Sequence, residues 1–151
     1  MNLIDRLEAE HRQAAAALEQ LDRACQPAPP GPARDAARSE AESALRVVCE
    51  IVHGHAEAEE ELVFPLMHGT GMDPLLGTLV EEHRAVRALY ETTCARLSTW
   101  AGGAGPDEGD WMAAARDLRG RLAMHMQREN LMVFPRARRL APDVRAVLEN
   151  R

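Results

Sequence analysis

"HAEAEEELVFP", residues 55–65, returns seventy residues later as "HMQRENLMVFP", residues 125–135. Both stretches open on His, carry Glu at the fifth place and close on Val-Phe-Pro. A shorter motif, "EHR", is also written twice, at 10–12 and 82–84. His11 precedes His55 by 44 residues and His83 precedes His125 by 42, so the two halves of the chain follow one plan. Each half has a segment with one inward His, then a segment with His-x-x-x-Glu-x-x-x-x-Phe-Pro.

Apolar residues recur at helical spacing around these motifs. Ile4, Leu7, Ala14, Leu18 and Leu21 form one stripe; Leu45, Val48, Val52 and Leu62 form the second. Leu76, Leu79, Val80, Val86, Leu89 and Leu97 form the third, and Leu118, Leu122 and Val133 belong to the fourth. Pro- and Gly-rich stretches at 26–32 ("QPAPPGP"), 68–74 ("HGTGMDP") and 101–110 ("AGGAGPDEGD") separate them. Asp73 reads as a helix N-cap, with Pro74 at the first helical position. Four long helices result, over about 3–25, 33–67, 74–100 and 108–140, with a short terminal helix in "APDVRAVLEN". Short connections make neighbours antiparallel, which predicts an all-α, up-down-up-down four-helix bundle in one domain, 1–151.

Composition agrees with helices. Aromatic residues are 3% of the chain, and Ala and Leu dominate. The net charge is −6, all 18 basic residues are Arg, and no basic block is present, which excludes a nucleic-acid binder. No apolar run approaches the roughly 20 residues that span a membrane. The charged N-terminus is not a secretory signal. Cys25, Cys49 and Cys94 form no C-x-x-C pair and read as reduced thiols in a cytoplasmic protein.

In an antiparallel bundle the start of one helix neighbours the end of the next. His11, His55, His83 and His125 then fall at one height, roughly 12–18 Å from the same end, at about 1.5 Å of rise per residue. Each shares a face with apolar neighbours: Val48, Val52 and Leu62 flank His55, and Leu118, Leu122 and Met132 flank His125. Glu59 and Glu129, four residues past their histidines, join them on the inner face. Glu57, Glu60 and Glu61 turn outward to solvent, as do His53 and His68. Tyr90 lies two turns past His83, and Trp100 and Trp111 pack near the far loop. The Phe-Pro pairs are expected to bend or end their helices. Buried carboxylates normally lose their charge unless something compensates it. Four imidazoles and two carboxylates exceed the needs of one ion. The layer therefore predicts two metal ions, with each carboxylate able to bridge; this donor set suits iron, manganese or zinc.

His11, His55-x-x-x-Glu59, His83 and His125-x-x-x-Glu129, with Phe-Pro after each His-Glu pair, resemble the hemerythrin-like HHE cation-binding domains over nearly the whole chain. The resemblance implies two non-haem iron ions, oxo- or hydroxo-bridged. His11, His55, His83 and His125 would be terminal ligands, and Glu59 and Glu129 would bridge. It also implies binding of, or reaction with, a small diatomic ligand (O2 or NO) or peroxide. Peroxide consumption is one outcome, and a non-catalytic iron or oxygen sensor read by a partner protein is the alternative. The oxygen carriers of this kind place a second His four residues after the third-helix His, where this chain has Arg87. They place an Asp five residues after the last His, where this chain has Asn130. Those departures point away from simple reversible oxygen carriage.

Overall fold

The computed structural model describes residues 2–100, 102, 103, 105–140, 146 and 149. The expected terminal helix over 141–150 lies outside them, apart from Ala146 and Glu149. The described residues contain no strand, and no helix is long and apolar enough to cross a membrane.

Four helices run in series. The first is α1, Leu3–Ala24; Asn2 caps it by accepting from the Asp5 amide at 2.9 Å. The second is continuous through α2 (Pro32–Glu50), a π-turn (Ile51–His55), α3 (Ala56–Ala58), a second π-turn (Glu59–Val63) and α4 (Phe64–Met67). The third is α5, Asp73–Thr99. The fourth runs through α6 (Pro106–Arg128), a π-turn (Glu129–Val133) and α7 (Phe134–Ala137). Each helix packs on the next, and the fourth closes on the first, giving the predicted four-helix bundle.

The π-turns change where the Phe-Pro pairs point. In each of the last two, the Phe amide reaches back five residues, from Phe64 to the Glu59 carbonyl and from Phe134 to that of Glu129. The following proline has no N–H, and its ring would crowd the carbonyl four residues back in a regular helix. A widened turn relieves that clash, and the helix runs on for one more turn instead of stopping. It also accommodates one extra residue, so the inward phase slips by one. Leu62 is therefore only half-buried and Met132 is 51% exposed, while their successors Val63 and Val133 are fully buried.

The interior has two apolar clusters with the His/Glu layer between them. One holds Leu3, Ile4, Leu7, Phe64, Met67, Leu79 and Phe134. The other holds Leu21, Val48, Leu118 and Leu122 and ends at Trp100 on Trp111, ring centroids 5.4 Å apart. Arg34 is buried at that far end, donating to the Ala28 and Gly102 carbonyls and pairing with Glu108 at 3.2 Å, so it ties the two far loops together.

At the opposite end Asp73 does not cap its helix. Its carboxylate folds back to accept from His68 Nδ1 at 2.7 Å and from the Gly69 amide at 3.1 Å, closing the loop. The three cysteines are free. Cys25 is buried, and burial pushes its thiol up to about 11. At neutral pH it should resist alkylation in the folded protein while the half-buried Cys49 and Cys94 react faster; mass spectrometry after timed iodoacetamide treatment reads this.

Candidate metal centre

All six residues singled out in the sequence meet in one buried layer. Their donor atoms form two overlapping groups, each within 4.8 Å: His11, His55, Glu59 and Glu129, and Glu59, His83, His125 and Glu129. The two glutamates are wholly inaccessible to solvent and belong to both groups.

The arrangement follows from the repeat. Glu59 points Oε1 at His55 Nε2 (3.1 Å) and Oε2 at His83 Nε2 (3.2 Å). Glu129 points Oε2 at His11 Nε2 (3.3 Å) and Oε1 at His125 Nε2 (3.0 Å), with His83 Nε2 3.5 Å away. Each carboxylate thus presents one oxygen to each histidine pair. Phe64 stacks parallel to His83 at 6.0 Å between centroids, and Phe134 lies against His11 at 5.2 Å. The two phenyl rings close the layer on one side.

Every imidazole is held from behind through Nδ1. His55 donates to Glu10 (2.7 Å), His83 to Glu60 (2.7 Å), His125 to Glu82 (2.9 Å) and His11 to Asn130 (2.9 Å). Donation at Nδ1 leaves Nε2 free to act as a lone-pair donor toward the carboxylates. Lone pairs of imidazole and carboxylate then face each other. Nε2 of His11, His83 and His125, one oxygen of Glu59 and both of Glu129 lack hydrogen-bond partners. Buried polar atoms are rarely left so. A cation between them satisfies the set, so these residues fit a metal site.

The outer partners correct one reading of the sequence. Glu60 is not a solvated neighbour; it is half-buried and orients His83. Glu57 and Glu61 are exposed as expected. Glu10 and Glu82, the first letter of each "EHR", each hold the histidine of the next helix. Arg87 does not approach the carboxylates and is not free in solvent. Its Nε donates to the Val52 carbonyl at 3.1 Å, within the first π-turn. His53 is half-buried edge-on to Tyr90, 6.0 Å between centroids, whereas His68 is exposed. Tyr90 packs on the far cluster; burial and hydrogen bonds with Cys49 and Cys94 push its hydroxyl well above the ordinary range.

Without a cation the layer draws in protons. Burial opposes charge on His55, but hydrogen bonds with Glu10 and Glu59 outweigh it and raise the imidazole to about 9. His83 is likewise raised against burial, to about 10, by Glu129 and Glu59. Burial would push Glu129 up, but His11, His125 and His83 hold it well below the ordinary carboxylate range. Both histidine values exceed the ordinary 6.5, so the stability they contribute is complete below 6.5 and is lost as pH rises through about 9 to 10. Thermal melts in chelator should show that decline. Cation affinity should rise over the same interval, because the metal displaces those protons.

A four-helix bundle with a buried layer of four histidines and two shared glutamates defines a cation-binding helical domain. The chain belongs to the hemerythrin family, matching the Hemerythrin HHE cation binding domain over residues 2–137. No curated protein and no solved structure matches it.

Proposed function

We propose that the protein holds two non-haem iron ions in this layer and reacts with O2, NO or peroxide in a redox or stress-related role. His11 and His55 would hold one ion, His83 and His125 the other, and Glu59 and Glu129 would bridge them. The observation that carries this reading is the aim of the carboxylates, each with one oxygen toward each histidine pair. When bound, the iron pair supplies the electrons for reduction of a small oxidant. The chain supplies the enclosure. Ile51, Val52, Val86 and Leu122 line a small void of ≈ 10 Å³ beside the four histidines. That is about the room one water needs, so only a small ligand fits beside the histidines without rearrangement. Arg87, one turn past His83 and tied to the second helix, cannot ligate. The reduced protein should therefore be oxidised by O2 without forming a long-lived oxygenated complex. The three unpaired cysteines suit a reducing, cytoplasmic setting.

The test is anaerobic loading with ferrous iron, metal analysis, then stopped-flow mixing with O2, NO or peroxide under optical detection. Two irons per chain and near-ultraviolet bands on oxidation are expected. One zinc and no iron after expression in iron-replete medium would sink the reading. Peroxide consumed over many turnovers marks an enzyme; a single stoichiometric change marks a sensor.

A further inference from the structure

The repeat that builds the layer is broken at one place behind it. Glu10 and Glu82 are equivalent in the two halves, and each faces an arginine, Arg6 at 3.6 Å and Arg128 in a close ion pair. His55 and His125 therefore each have a carboxylate behind them. The other equivalent pair does not match, because His83 donates to a carboxylate, Glu60, and His11 to a neutral amide, Asn130. A carboxylate behind a ligating imidazole strengthens its donor nitrogen and fixes its orientation, and losing such a partner typically costs 10–100-fold in metal affinity. An amide polarises the ring less. The pair His83 and His125 has two carboxylate partners, while His11 and His55 have one.

The grooves behind the histidines are unequal in the same sense, reaching their Nδ1 partners while Nε2 of His11, His83 and His125 stays buried. A groove of ≈ 510 Å³ between the first and fourth helices reaches His11 and Asn130, and Asn130 is exposed. A second, of ≈ 560 Å³ between the first and second helices, reaches His55 and Glu10. The groove that reaches His125 is smaller, ≈ 190 Å³.

We infer that the two metal positions are unequal: the one at His83 and His125 fills first and holds tighter, the one at His11 and His55 is the exchangeable position, and Asn130 in place of a carboxylate sets the difference. The inference rests on the dinuclear reading above. Glu60 and Asn130 are positioning residues here, each acting through its histidine.

Titration of the metal-free protein with cobalt(II), followed by visible absorption and calorimetry, tests it without any assay of activity. The unmodified protein should take up two ions in two steps separated by roughly tenfold or more. Asn130→Glu copies the equivalent residue of the other half into an open groove. It should tighten the weaker step by roughly tenfold and leave the tighter one in place. The isosteric Glu60→Gln should weaken the tighter step and bring the two together. Circular dichroism identifies a variant that fails to fold, and Asn130→Glu then decides alone. Equal affinity for both ions in the unmodified protein, or an Asn130→Glu titration identical to it, overturns the inference. Uptake of a single ion sinks the dinuclear reading itself, and the inference falls with it.

Discussion

Glu129→Ala should abolish most of the stabilisation that cations give this protein. Its two oxygens face His11, His125 and His83, and it belongs to both donor groups, so its removal strips an oxygen from each. A cation present at a thousandfold excess over its Kd contributes about 4 kcal/mol to the folded state. In a chain of this size that is a rise in Tm of roughly 8–16 °C. Melts with and without chelator should show this rise in the unmodified protein and little of it in Glu129→Ala. Glu59→Ala should act in the same direction, since Glu59 also serves both groups. Glu61→Ala, on the exposed side of the same turn, should melt like the unmodified protein. Full retention of the chelator-sensitive shift in Glu129→Ala would remove that residue from the centre.

Phe134→Ala should cost the folded chain about 3–5 kcal/mol, the range for deleting a buried aromatic ring. The ring is completely buried among residues such as Leu3, Leu7 and Met67, and it lies 5.2 Å from the His11 ring. Two losses should appear together: a Tm lower by roughly 6–20 °C and a weaker grip on metal at the His11 position. Trp111→Ala separates the two. Trp111 is as deeply buried but sits in the far cluster against Trp100, so it should cost similar stability with metal affinity unchanged. A Phe134→Ala variant that binds metal normally would show that the ring only fills space.

The sequence carries the bundle and the six inward residues because both follow from simple periods. Four imidazoles at one height, and glutamates at i+4, need only a straight helix and antiparallel neighbours. What periodicity misses is phase. His55 and Phe64 are nine residues apart, as are His125 and Phe134, and at about 100° per residue nine steps reach the opposite face of a regular α-helix. Yet all four rings meet in the interior. The repeated motif therefore holds the signature of a π-turn, and an assumed straight helix hides it and puts Met132 inside, where the structure exposes it. The outer partners were hidden differently. Glu10 and Glu82 reach across a hairpin, and Glu60 and Asn130 reach across the two halves, so their roles depend on tertiary geometry.

Each donor group takes three residues from its own half of the chain and one glutamate from the other. A cation bound in either group would thus be a reversible cross-link between two helical hairpins that otherwise meet through packing, hydrogen bonds and ion pairs such as Arg34–Glu108, and the loop around 68–72. Were that loop nicked by a protease, the fragments should stay together at lower concentration on size exclusion with metal present than in chelator. The metals would then supplement the one peptide connection between the halves.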